Sequence, residues 1–180
     1  MYTIGHSTRP IDRFLALLAR DDIELVADVR LLPGSRRHPH YDREPLAAVL
    51  ASHGVAYRHL PSLGGRRKPR ADSRNVGWRN ASFRGYADHM ETNEFLAGLD
   101  ELVASARRAN TAVMCAEAVP WRCHRTLIAD ALLARGEDVR HILDGSTRPA
   151  TLTPFACIDG GRLAYPVDSV SRPGDLFDAR

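Results

Sequence analysis

Short apolar runs alternate with apolar stripes at helical spacing along most of this chain, and that alternation sets the expected architecture. Tyr2 to Gly5 reads as a strand, and Ser7-Thr8 ahead of Pro10 offers an N-cap and a first-turn proline for a helix carrying Phe14, Leu17 and Leu18. Asp21-Asp22 closes that helix before Leu25-Val26-Ala27, an unbroken apolar run of the kind a strand buried on both faces presents, which leads into Asp28-Val29-Arg30. Asp42 can cap a helix with Leu46, Val49 and Leu50 inward, Gly54 ends it, and Val55 to Leu60 has strand character.

The same rhythm continues further on. Phe83 to Met90 predicts a short helix, and Thr92 can cap a longer one whose stripe is Phe95, Leu96, Leu99, Leu102, Val103 and Ala106. Thr111 to Cys115 is a strand; Pro120 opens a helix with Leu127, Ile128, Ala131 and Leu132 inward, Gly136 stops it, and Val139 to Leu143 is the next strand. The tail changes character: Phe155 to Ile158, then Asp159-Gly160-Gly161, then Arg162 to Tyr165 predicts a β-hairpin, because glycines supply the positive φ a tight turn requires. The expected fold is α/β, a mostly parallel sheet flanked by helices with a C-terminal β-hairpin. At 180 residues and 44% hydrophobic content, one domain over 1–180 is expected.

Composition narrows the setting more than the chemistry. The start of the chain lacks a signal-peptide pattern, no apolar run reaches membrane-spanning length, and three cysteines are too few for a secreted disulfide framework. A cytoplasmic protein with reduced thiols and no membrane partner is expected. The net charge is only +3, but the basic residues are unevenly placed. Between Pro61 and Arg84 the chain carries Arg66, Arg67, Lys68, Arg70, Arg74, Arg79 and Arg84 against Asp72, with Trp78 and Phe83 interleaved. Such an arm suits phosphate backbones and stacked bases, or is simply a mobile, solvated loop; Arg36, Arg37, His38 and His40 form a second basic loop. No helix-turn-helix, zinc-finger or RNA-recognition signature accompanies the arm.

Ligands of an open parallel sheet sit beyond the carboxyl ends of its strands, which singles out Gly5-His6-Ser7, Asp28-Val29-Arg30, His59 and Cys115-Ala116-Glu117. Cys115 before a helix N-terminus and near arginines is a candidate nucleophile, and equally the last small apolar residue of a buried strand. Glu117 is a candidate general base or an ion-pair partner of Arg30, Arg122 or Arg125. Cys123 lies four residues before Leu127 and shares its helical face, which favours packing, while His124 and Arg125 fall in the first helical turn. His6 is a second acid/base candidate; Ser7 and Thr8, with free backbone N–H groups, can hold an anion or serve as a cap. Asp28 can orient an imidazole or a guanidinium, or form a turn. Catalysis is thus placed on Glu117, His6, Cys115 and His124, and substrate binding on Ser7, Asp28, Arg30, Arg36, Arg84 and Arg125. Zinc is disfavoured, because Cys115 and Cys123 are separated by seven residues with no C-x-x-C pair.

The ordered motifs Thr3-Ile4-Gly5-His6-Ser7, Asp28-Val29-Arg30, Pro33 with Ser35-Arg36, Leu63-Gly64-Gly65, Phe83 to Met90, Cys115-Ala116-Glu117 and Cys123-His124-Arg125 resemble the family called domain of unknown function 488. The resemblance runs from Thr3 to about His141, leaving 142–180 as an extension, and implies a site that includes the cysteine pair without implying a reaction. A weaker likeness, in Asp-x-Arg and the strand-cysteine-loop-helix element, is to rhodanese-type and cysteine-phosphatase domains. The loop here departs from a phosphatase cradle, since Glu117 and Pro120 place a carboxylate and a missing N–H where anion donors are wanted. The leading expectation is a strand-end site for an anionic, phosphate-containing small molecule or nucleic acid. The alternatives are a nonenzymatic nucleic-acid-binding module on residues 66–84 and sulfur or phosphoryl transfer through Cys115.

Overall fold

The computed structural model describes residues 1–34, 37–159 and 162–167. Six strands form one sheet: β1 (Tyr2–Gly5), β2 (Leu25–Asp28), β3 (Ala56–His59), β4 (Thr111–Cys115), β5 (Arg140–Ile142) and β6 (Thr147–Pro149), in the order β3-β2-β4-β1-β5-β6. All neighbours are parallel except β5 and β6. Five helices cover it: α1 (Ile11–Arg20), α2 (Arg43–Ser52), α3 (Ala81–His89), α4 (Asn93–Ala106) and α5 (Arg125–Ala134). The hairpin pairs β7 (Cys157–Asp159) with β8 (Arg162–Ala164), and its Gly160-Gly161 turn lies outside the described residues.

Strand alternation sorts the helices onto two faces. Ala112 and Met114 pack with Ile4, Val26 and the inner residues of α1 and α2, such as Phe14 and Leu46. Val113 and Cys115 point the opposite way, into a core with Ala27, Val29, Phe95 and Leu99 of α4, and Leu127 and Ile128 of α5. β1 and β4 are neighbours, paired Gly5 to Cys115, yet the helices that follow them lie on opposite faces. Their diverging loops open a crevice at the carboxyl edge, the topological switch point of the sheet.

Local signals account for most element boundaries and miss several. Thr92 caps α4 by accepting from the Phe95 N–H, whereas α3 begins at Ala81, earlier than its apolar pattern suggests, because the Asn80 side chain accepts from the N–H groups of Ser82 and Phe83. Ser7 and Thr8 do not cap α1: Ser7 has left-handed backbone (φ 51) and Pro10 occupies the N-cap position. Pro120 opens only a single 3-10 turn, Pro120–Arg122; Cys123 is extended (φ −137, ψ 144), and α5 starts at Arg125. β6 adds a strand that the tail's weak alternation did not signal.

Asp130 of α5 fastens the chain beyond β6, accepting from the Thr153 N–H and hydroxyl and from the Tyr165 hydroxyl. Tyr165 then meets the basic arm, where its N–H donates to Asn75 and its carbonyl accepts from Gly77. No helix among the described residues is long and apolar enough to cross a membrane.

Candidate functional site

The loops after β1, β2 and β4 surround a cleft of about 620 Å³. Six of the residues expected at a site line it, namely His6, Ser7, Arg30, Cys115, Glu117 and His124, joined by Gly65, Arg66, Phe83, Arg122 and Cys123. Asp28 and Arg125 sit behind its walls, Arg84 does not line it, and Arg36 lies outside the described residues.

One wall is a closed polar network. Asp28, fully buried, accepts from the backbone N–H, Nε and Nη2 of Arg30, with the Nη2 contact at 2.6 Å, and from the Tyr57 hydroxyl at 2.7 Å. Arg30 also donates to the Tyr41 carbonyl and through Nη1 to Nε2 of His6 at 3.2 Å. His6 donates from Nδ1 to the Ser7 carbonyl and stacks on Tyr41 with ring centroids 4.2 Å apart. Burial, then the adjacent Arg30 cation, lowers the His6 pKa to about 4, so the ring is neutral at physiological pH with both nitrogens engaged. Of the N–H groups expected to be free, that of Ser7 is committed to Ala116 O, as the His6 N–H is to Cys115 O.

The opposite wall is built from β4 and the interrupted helix start. The extended Cys123 lies outside α5, so the argument from a shared helical face with Leu127 does not apply; its thiol turns toward Cys115 and His124. Nδ1 of His124 lies 3.8 Å from each sulfur, and its Nε2 is 3.2 Å from the Val29 carbonyl. A carbonyl can only accept, so Nε2 carries a proton, and Nδ1 is the ring nitrogen that faces the thiols. Sharing of a proton between the two sulfurs raises the Cys115 pKa and lowers that of Cys123, and the Arg125 cation favours thiolate on both.

Arg125 is not a substrate clamp. It is fully buried, donates to the carbonyls of Glu117 and Ala118, leaves Nε without a partner, and forms no ion pair with a described residue. It holds the 116–118 loop against β1, where Gly5 is obligatory: a Cβ there would fall 1.7 Å from the Glu117 carbonyl oxygen. The Glu117 side chain itself is exposed at the cleft. The guanidiniums available to a ligand are Arg66 and Arg122, both exposed, both lining the cleft, and neither ion-paired to a described residue. Arg66 was legible only as one cation of the arm, and Arg122 only as a partner for Glu117.

Much of the rest of the arm, from Arg67 to Trp78, is tied down. Asp88 of α3 accepts from the Arg70 N–H, the Ser73 hydroxyl and the Asn75 amide, while Glu91 pairs with Arg70 and Arg74, and Glu94 with Arg67. Trp78 packs on Phe83 (centroids 4.8 Å apart), Phe155 and Tyr165, so its ring faces protein neighbours.

Comparison with curated proteins and with solved structures returned no match. A family model matches residues 10–132, which span the β2 and β4 loops, the arm and the whole Cys115–Arg125 junction, but stop short of β1 and its His6. On that match, covering well over half its length, the chain belongs to the family described as Domain of unknown function DUF488.

Proposed function

We propose that the cleft at the β1/β4 switch point is the protein's ligand site and takes a small anionic, phosphate-bearing molecule. The observation that carries this reading is the placing of two guanidiniums without an ion pair to any described residue, Arg66 and Arg122, on the rim of a cleft whose only lining carboxylate among the described residues is Glu117. Paired arginines suit phosphate because each presents a planar fork of donors. The position agrees with where open α/β sheets hold ligands. Glu117 is the group placed to exchange a proton with a bound ligand, since His6 already accepts from Arg30.

Isothermal titration with inorganic phosphate and pyrophosphate tests the reading. Arg66→Gln with Arg122→Gln is expected to weaken pyrophosphate at least about tenfold, the loss of one to two charge-assisted contacts. Affinity indifferent to both substitutions contradicts it. The nucleic-acid module is the weaker reading, because Arg67, Arg70 and Arg74 of the arm have acidic partners and Trp78, the ring a base would stack on, is packed against neighbouring rings.

A further inference from the structure

We propose that Cys115, Cys123 and His124 form a three-ligand site for a divalent transition-metal ion of the zinc class, with its fourth coordination position open to the cleft.

The ligand atoms converge from two segments. Cys115 ends β4, Cys123 and His124 follow the 3-10 turn, and Sγ, Sγ and Nδ1 all lie within 4.8 Å of one another. A tetrahedral zinc with its ordinary bonds of about 2.3 Å to sulfur and 2.0 Å to nitrogen places sulfur and nitrogen about 3.5 Å apart. The observed separation is 3.8 Å for both sulfurs, longer by only about 0.3 Å. Two thiolates and an imidazole form the soft donor set zinc accepts, and three protein ligands leave one position for water or substrate.

Three independent features of the surroundings point to a ligand. The Val29 carbonyl accepts from Nε2 of His124 and turns Nδ1 toward the two sulfurs, the carbonyl-to-imidazole support usual behind metal-bound histidines. Arg125 is a wholly buried cation with no carboxylate partner among the described residues, an expensive arrangement unless anionic charge lies nearby; thiolates supply it. Gly65 lacks the side chain that would obstruct the imidazole, since a Cβ there would stand 2.7 Å from Nδ1. All three ligands and Gly65 line the cleft, so the remaining position faces the same space as Glu117. Two thiolates neutralise a divalent ion, and Arg125 then favours an anion as fourth ligand.

The metal site goes beyond the anion reading and is tested without phosphate. The full chain, reduced and stripped by chelator, is titrated anaerobically with Co²⁺. The expected result is one bound equivalent with thiolate-to-cobalt charge-transfer absorption in the near ultraviolet, strong ligand-field bands of four-coordinate geometry, and displacement by Zn²⁺. Cys115→Ser and Cys123→Ser each weaken the charge-transfer band and lower zinc affinity beyond the roughly 10- to 100-fold that loss of a supporting partner costs. No charge-transfer band in the unaltered chain, or a band that both serine substitutions leave intact, overturns the proposal. The measurement on the unaltered chain stands even if a serine variant fails to fold.

Discussion

The two walls of the cleft are both polar and both built at strand ends, but they differ in what they leave undone. On the β1/β2 side, Asp28, Arg30, His6 and Tyr41 satisfy one another, and the His6 ring is closed off at both nitrogens. On the β4 side, two thiols and an imidazole nitrogen face one another, and Arg125, Glu117, Arg66 and Arg122 make no ion pair with a described residue. A completed network costs little to keep and resists change, so it serves as a frame. Unfinished valences in a cleft are the groups left over for a ligand.

The sharpest way to break the comparison is to open the frame. Asp28→Ala leaves the Arg30 cation buried and unpaired, and is expected to destabilise the fold by about 3–5 kcal/mol in denaturant unfolding. A change below about 1 kcal/mol would show that the first wall is not the support.

Acid should loosen the fold next, through His6 in that wall and His141 on β5. Burial holds His6 and His141 near pKa 4, below the ordinary value of 6.5, so the unfolded chain binds more protons between those limits. Both residues are neutral in either state above about pH 7, and nothing is lost there; stability falls as pH drops from about 6.5 toward 4, by a few kcal/mol in all. A flat urea midpoint across that window contradicts the assignment. His6→Asn is expected to flatten part of the slope.

The open wall predicts the reverse pattern. Glu117→Gln and the Arg66/Arg122 pair should change stability by no more than about 0.5 kcal/mol, as unpaired surface groups do, while altering ligand binding. On stability alone Asn80→Ala should cost more, about 1 kcal/mol through the lost α3 cap, and leave both walls intact. Thermal or denaturant unfolding reads all three.

How far the sequence foretold this division depends on whether the deciding contact was local. β1 to β5 and the bodies of the helices follow from periodicity, and Thr92 is a cap visible from its neighbours. Cys123 was misplaced because spacing from Leu127 assumed an unbroken helix, whereas the chain leaves helical geometry for one residue and turns that thiol toward Cys115. Arg125 looked like an anion clamp because nothing local reveals that its guanidinium would be consumed by the carbonyls of its own loop. The arm looked unanchored because its partners come later in the chain, Asp88 from α3, Glu91 from the turn after it and Glu94 from α4. The convergence of sulfur and nitrogen likewise comes from the Pro120–Arg122 turn and the extended Cys123 folding the chain back onto the end of β4, which spacing alone does not encode.

The most direct test of the cleft's role is a map of backbone amide shifts as pyrophosphate is added to the isotopically labelled full chain. The account predicts that the shifts gather at His6 to Thr8, Gly65-Arg66 and Ala116 to His124. Shifts gathered instead at Arg70 to Arg84, with the β1 and β4 loops silent, would contradict it and move the ligand site onto the arm.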